Sequence, residues 1–236
     1  WTAALAALAD DAALDPALLA ELWTPPDALE LAELVEPFDP AAVHAARESL
    51  ETTLAAALGA RLRERHALLV AQECGALDGA AQACRRLANR CLELWAASAD
   101  LAALDTAAAR FELAPTMTER LAALATLARR GAAQAPAALA DFERRYGDDA
   151  VTLDKWFALQ ATLPRADAVE RVTALLDHPR FSLRNPNCVY ALLRSFAARN
   201  LVAFHRGDGA GYALIERAVD ALDAINPQLA ARIAMT

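Results

Sequence analysis

The chain has 236 residues, of which 56% are hydrophobic, and its formal net charge is -8. Because this excess of acidic groups repels phosphates, and no basic cluster with interleaved aromatic residues offsets it, the composition argues against a nucleic-acid partner. No run of about 18 apolar residues is free of charge, so no membrane partner is expected either.

The chain begins at Trp1 without an initiator methionine, a basic segment or an apolar leader, which suggests a segment of a longer protein. None of the four cysteines, Cys74, Cys84, Cys91 and Cys188, forms a C-x-x-C pair. The spacing of Cys84 and Cys91 suits packing on one helix better than zinc ligation. We therefore expect buried free thiols and a reducing, cytoplasmic location.

Helix boundaries are marked by several local signals. Asx-Pro pairs place an N-cap acceptor before a proline suited to the first helical position, at residues 15–16, 39–40, 185–186 and 226–227. Thr116 and Glu119 form a predicted capping box, and Gly131 and Gly147 lie where helices should end. Gly59 should bend or split a long early helix. The predicted helices are 2–9, 16–23, 26–35, 40–72, 79–97, 99–110, 116–130, 136–147, 151–162, 167–177, 186–199, 210–225 and 227–234.

Apolar residues recur with helical spacing, whereas alternating strand-like runs are lacking. Three predicted apolar stripes are Tyr212, Ile215, Val219 and Leu222; Val169, Val172, Leu175 and Leu176; and Val189, Leu192, Leu193 and Phe196. Short loops between many helices predict an all-α fold, an α-solenoid-like superhelical array of antiparallel helix pairs of the HEAT/armadillo type. With no long linker, residues 1–236 should form a single helical domain.

The residues show no catalytic or metal-binding motif. The H-E-x-x-H motif of metallopeptidases is missing from the sequence, and His44 with Glu48 is interpreted as a surface pair. Cys188 and His205 could form a dyad, but Cys188 falls within an apolar helix and is interpreted as a core residue. The glycines from Gly207 to Gly211 follow a helix rather than a strand, so they indicate a sharp turn and not a phosphate loop. No catalytic residue, metal ligand or cofactor is therefore expected in this segment.

One helix start has two possible interpretations. Arg184, Asn185 and Asn187 precede or open the helix predicted from residue 186, whose first N–H groups could bind an anion or a carboxylate. Alternatively, Asn185 only caps the helix. On a different predicted helix, residues 151–162, Trp156 and Phe157 should belong to the core, whereas the nearby Asp154 should be solvated or paired.

Four ordered motifs lie between Asp154 and Arg232, namely DKWFALQAT, NPNCVY, AFHRGDGAGY and NPQLAAR. They resemble the C-terminal helical domain of bacterial aminopeptidase N, a thermolysin-like zinc aminopeptidase family with the patterns DKWF-x-x-QAT, NPN-R-x-R, AFH-x-x-DG-x-GY and NPQ-x-A-x-R. Earlier segments, at residues 15–18, 38–40 and 46–50, match more loosely. The resemblance covers nearly the whole chain.

The resemblance implies a superhelical domain that packs over the catalytic domain of the same chain, encloses the active-site cavity and gates access of peptide substrates. Zinc and the general base would lie upstream, so no catalytic residue can be carried over. Cys188 and Tyr190 stand where the family has arginines, and Cys188 cannot supply the positive charge that would meet a peptide carboxylate. The candidate substrate-channel residues are Arg184, Asn185, Asn187 and Tyr190. The family also has further helices beyond the position of Thr236, so the segment is expected to be C-terminally incomplete.

These observations predict the non-catalytic C-terminal domain of a zinc-dependent aminopeptidase N, inactive by itself. A free-standing helical-repeat scaffold that binds a protein partner on its concave face is the alternative. A third hypothesis is a small-molecule-binding domain that uses the helix start at Asn185.

Overall fold

The computed structural model describes residues 2–11, 13–72 and 76–236, so Trp1 and Cys74 lie outside the described part. About 73% of the structure is helical and the described residues include no strand, which confirms the predicted all-α class. The helices are α1 Thr2–Leu8, α2 Pro16–Leu22, α3 Ala28–Ala32, α4 Pro40–Leu58, α5 Ala60–Ala71, α6 Gly79–Ala97, α7 Leu101–Leu113, α8 Met117–Arg129, α9 Ala135–Tyr146, α10 Ala150–Ala161, α11 Ala168–Leu176, α12 Pro186–Val189, a π-helical turn Tyr190–Arg194, α13 Ser195–Arg199, α14 Leu201–Phe204, α15 Ala210–Asp223 and α16 Pro227–Ala234.

The chain divides into two compact units, with one boundary immediately before α3 and two others within α4 and α9. Unit 1 comprises residues 1–27 and 45–138, and unit 2 comprises residues 28–44 and 139–236. In unit 1, α6 packs against α2, α5, α7 and α8, so it is the central helix. In unit 2, α10 packs against α11 and the π-helical turn, and α15 packs against α16.

Most helix starts follow the local signals in the sequence. All four Asx-Pro pairs cap a helix: the Asp15 carboxylate accepts the N–H groups of Ala17 and Leu18 at 2.9 and 3.0 Å, for example. Asp39, Asn185 and Asn226 accept main-chain N–H groups in the same way. Gly59 has a positive φ of 53° and separates α4 from α5, which confirms the predicted split.

The predicted capping box at Thr116 is wrong. Thr116 occupies the N-cap position of α8 but its side chain accepts no main-chain N–H. Its hydroxyl instead hydrogen-bonds the carboxylate of Glu119, which also accepts a hydrogen bond from Arg110 at 3.0 Å. Glu119 is buried, and a buried carboxylate is stabilised by a cation far more than by one main-chain N–H.

The third predicted stripe is confirmed, because Val189, Leu192, Leu193 and Phe196 are all completely buried. The first stripe is partly wrong. Tyr212 is 51% exposed, whereas Leu214 and Ala218 are buried in its place. The buried face of α15 is therefore rotated from the predicted one.

The short helix α14 has no counterpart among the predicted helices, and α3 is shorter than predicted.

Each unit has its own aromatic and aliphatic core. In unit 1, Trp23 is fully buried and its indole N–H donates to the carbonyl of Leu5 at 3.3 Å. In unit 2, the buried Trp156 donates to the carbonyl of Leu139 at 2.9 Å, and Phe157 lies against it edge-on. Both Trp156 and Phe157 belong to the core, as predicted.

Candidate functional site

The candidate substrate-channel residues lie in unit 2, where a loop enters the helix that begins at Pro186. The side-chain oxygen of Asn185 accepts a hydrogen bond from the N–H of Asn187 at 3.1 Å. Asn185 therefore caps α12, which is the second of the two interpretations given for this helix start. Arg184 and Asn187 are exposed, and the main-chain N–H of Arg184 donates to the hydroxyl of Ser182 at 3.2 Å. Arg184, Asn185 and Asn187 are thus brought together at one helix start.

Tyr190 lies one turn further along, at the beginning of the π-helical turn. Its hydroxyl accepts a hydrogen bond from Arg232 of α16 at 3.3 Å, which raises the pKa of that guanidinium. The guanidinium of Arg194 lies over the Tyr190 ring, 5.8 Å from its centroid. The tyrosine thus has one guanidinium at its hydroxyl and another over its ring. The wider π-helical turn re-aims the residues that follow, a distortion that is frequent at functional sites.

Cys188 belongs to the same helix, and it is buried. Burial raises the pKa of its thiol, and the carboxylate of Asp154, to which the thiol hydrogen-bonds, raises it further. Burial also raises the pKa of the Asp154 carboxyl, although Cys188 and Lys155 act against that shift. Cys188 is only 2% exposed, so the prediction of a core cysteine is confirmed, and a thiol with a raised pKa is a poor nucleophile.

His205 belongs to a separate aromatic cluster in unit 2. Its Nδ1 lies 2.5 Å from the hydroxyl of Tyr212, and the rings of Phe204 and Phe38 contact it with centroid distances of 4.9 and 5.2 Å. Burial lowers the pKa of the imidazole. Cys188 hydrogen-bonds Asp154 whereas His205 contacts Tyr212, so the two residues of the imagined dyad have different partners.

The other residues weighed in the sequence also have defined surroundings. Within the described part of the chain, no group of three His, Cys, Asp or Glu side chains is arranged to hold a metal ion. The carboxylate of Glu48 accepts a hydrogen bond from Arg130 at 2.8 Å. Asp208 accepts the N–H of Ala210 at 3.0 Å, and Gly209 has a φ of 74°, so this segment forms the predicted sharp turn. No helix among the described residues has the length and apolar character needed to span a membrane.

Comparison with known proteins gives matches along the whole length of the chain. The family model described as a domain of unknown function (DUF3458_C) with ARM repeats matches residues 1–236. The chain belongs to the DUF3458_C family of ARM-repeat domains. This description confirms the armadillo-like helical-repeat class predicted from the sequence.

The DUF3458_C domain is similar to parts of known aminopeptidases. It is 39% identical over 227 residues to aminopeptidase N of Caulobacter vibrioides, which covers 96% of the chain and 26% of that protein. It is 36% identical over 226 residues to aminopeptidase N of Escherichia coli, covering 94% of the chain and 26% of that protein. The chain thus spans about a quarter of the length of the curated relatives it matches, and the predicted resemblance to aminopeptidase N is confirmed.

A solved structure has the same fold. The crystal structure of Legionella pneumophila aminopeptidase A in complex with aspartic acid superposes with a TM-score of 0.87 and 33% sequence identity, covering 98% of this chain and 28% of that one.

Two features of the DUF3458_C domain had no signal in the sequence. One is the contact of Cys188 with Asp154, and the other is the pair of arginines around Tyr190. The Cys188 contact and the Arg232 contact both join residues of different helices, for which a single sequence has no signal.

Proposed function

We propose that this chain is the non-catalytic C-terminal domain of a cytoplasmic, zinc-dependent aminopeptidase, in which it encloses the active site and gates the access of peptides. The observation that carries the proposal is the alignment of 94–96% of the chain with a quarter of aminopeptidase N from two bacteria. Zinc in the upstream part of the protein would activate the water that attacks the peptide bond. This chain would contribute walls of packed helices that keep bulk water and folded proteins out.

The residues at the start of the helix beginning at Pro186 are the proposed channel wall. Arg184 and Asn187 are exposed and so can meet a passing peptide. Tyr190, half-buried, is fixed by Arg232 and Arg194 from two directions. A ring held in this way makes a firm boundary, because little side-chain entropy remains to be lost when a peptide contacts it. The family arginine at position 188 is replaced by a buried thiol, so any peptide carboxylate would have to meet Arg184 instead.

The first experiment tests whether the domain belongs to a peptidase. An antibody against this segment captures the native polypeptide, whose mass is recorded and whose hydrolysis of an aminoacyl amide is assayed with and without a chelator. A polypeptide several times heavier than 25.1 kDa with chelator-sensitive activity supports the proposal. A polypeptide near 25.1 kDa without activity contradicts it and favours the alternative, a free-standing scaffold that binds a protein partner.

The second experiment tests gating. In the native polypeptide, Tyr190→Ala should change kcat/KM for a pentapeptide several-fold more than kcat/KM for a single aminoacyl amide, because only the longer substrate reaches the wall. Tyr212→Ala is the matched control, since Tyr212 is also a tyrosine of unit 2 with a hydrogen-bonded hydroxyl. If Tyr190→Ala alters both substrates equally, or no more than Tyr212→Ala does, Tyr190 does not line the channel.

A further inference from the structure

Unit 1 contains a pocket that the proposed peptidase role does not use. Its volume is about 230 Å³, and its walls come from the last turn of α4, the first turn of α5, the end of α6 and the N-cap residue of α7. The structure describes every residue that lines it. Arg63 and Asp100 are the two charged residues of this lining, so we call it the Arg63–Asp100 pocket.

The carboxylate of Asp100 is fixed by its neighbours. It accepts the indole N–H of Trp95 at 2.8 Å and the main-chain N–H of Ala102 at 3.0 Å. The preceding residue, Ala99, has a φ of 60°, a conformation that is uncommon for a residue with a Cβ and persists where the surrounding structure imposes it. The hydrogen bond from Trp95 lowers the pKa of Asp100, so the carboxylate is charged at neutral pH. An ionised carboxylate has about four lone-pair sites, so acceptor capacity remains for a ligand.

Arg63 supplies the positive charge of the pocket. It is exposed on α5, and within the described part of the chain its guanidinium has no hydrogen-bonded or ion-paired partner. Arg63 is nevertheless close enough to Asp100 for its charge to contribute to the lowered pKa of that carboxyl. The two opposite charges therefore lie near each other in one pocket without forming an ion pair.

Opposite charges that share a pocket without touching favour a ligand that carries both charges. A lone anion at Arg63 is repelled by Asp100, and a lone cation at Asp100 is repelled by Arg63. We propose that the Arg63–Asp100 pocket binds a free α-amino acid as its zwitterion, whose ammonium group donates hydrogen bonds to Asp100 and whose carboxylate accepts them from Arg63.

The rest of the lining suits a small apolar side chain. Alanine and leucine residues of α4 and α5 form most of it, and the volume lies below the range of about 300–1,000 Å³ typical of drug-sized ligands. An amino acid is also the class of product that the proposed peptidase releases. The site is argued from unit 1 alone, however, and does not rest on that activity.

L-Leucine is the probe, and it is titrated into the native polypeptide that carries this sequence. Hydrogen exchange is followed by mass spectrometry at residues 55–63 and 95–102, so that binding in this pocket is distinguished from binding at a catalytic site elsewhere. Leucine should slow exchange in both segments and reach saturation. The matched probes are 3-methylbutylamine, which lacks the carboxylate, and 4-methylpentanoate, which lacks the ammonium group. Each should need about three to ten times the concentration for half of the effect, because each loses one charge-assisted contact at an exposed site.

Two variants and a control test the assignment of the site. Arg63→Met should weaken leucine binding about threefold to tenfold and abolish the preference for leucine over 3-methylbutylamine. Arg61→Met is the matched control, because Arg61 is also an exposed arginine of α5 but pairs with Asp10. Ala56→Leu keeps both charges, fills part of the pocket from an exposed position and should weaken leucine binding at least as much.

The proposal is overturned if leucine does not slow exchange in these two segments, or if the three probes act equally. Unchanged leucine binding in a folded Arg63→Met or Ala56→Leu variant overturns it as well, and so does an equal loss in Arg61→Met. The readout is hydrogen exchange in unit 1 and not peptide hydrolysis, so each of these results leaves the peptidase proposal standing.

Discussion

Gly211 is the position at which one added methyl group should do most damage to unit 2. It is buried in the first turn of α15, where that helix crosses the end of α14. A Cβ at this position would lie 2.3 Å from the carbonyl oxygen of Phe204 and 2.8 Å from that of Ala203. These are main-chain atoms that cannot rotate away, so α14 and α15 must move apart. Overpacking typically costs about 1–3 kcal/mol, and a collision with main chain should lie near or above about 3 kcal/mol.

Gly79→Ala is the matched control for Gly211→Ala. Gly79 opens α6, and a Cβ there would meet nothing within 4 Å. The control should be neutral, or more stable by up to about 1 kcal/mol, because alanine restricts the unfolded chain. Urea unfolding followed by circular dichroism gives the two stabilities, and hydrogen exchange resolved to residues 201–223 locates the change. For a protein of this size the loss at Gly211 corresponds to a fall in Tm of about 6–12 °C.

The outcome that refutes this reasoning is a Gly211→Ala variant within about 0.5 kcal/mol of the control, with unchanged exchange in α15. The helices would then not approach as closely as the structure shows. The contacts among the rings of Phe204, His205 and Tyr212 would then also be in question, because these rings meet where Gly211 lets α15 approach the end of α14 closely.

Three further predictions rest on buried charges and thiols. Arg130→Met should lower the free energy of unfolding by about 1–3 kcal/mol in urea, because it removes one of the two arginines that pair with the buried carboxylate of Glu51: Arg130 contacts it at 2.6 Å, and Arg47, at 2.7 Å, remains. Asp154→Asn should gain stability relative to the native chain as pH rises from 4 to 7. The pKa of Asp154 is higher in the folded state than in the unfolded state, so the native chain loses stability as the pH rises from about 3.9 through the folded-state pKa. Urea midpoints of both proteins, measured at pH 4 and at pH 7, would show this difference. At pH 8, iodoacetamide should alkylate Cys84 well before Cys188, whose thiol is buried with a raised pKa; equal rates in the folded protein would contradict its burial.

Local interactions explain which features the sequence predicts well. The caps at Asp15 and Asn226 lie within one turn of the groups they bond, so residue type and spacing suffice to identify them. The helix from Gly79 to Ala97 has its predicted bounds for the same reason. The motifs between Asp154 and Arg232 are also sufficient to identify the resemblance to aminopeptidase N, which the matches over 94–96% of the chain confirm.

Which residues of different helices contact one another is seen only in the tertiary structure. Helical spacing shows that α15 has an apolar face but not its rotation, and Tyr212 is exposed because its ring packs on Phe204 and His205 instead of the core. The sequence pattern of Glu119 is that of a capping residue, but an arginine on the preceding helix pairs with it in a buried position.

The sequence by itself therefore determined the helical class, most helix boundaries and the family, because these depend on neighbours along the chain. Only the tertiary structure decided that Arg63 and Asp100 line one pocket and that Cys188 lies against Asp154. Such arrangements join residues of different segments, and their energies depend on burial and on charges that one helix does not contain. The sites proposed here are for this reason consequences of packing, although the helices that carry them were predicted from the sequence.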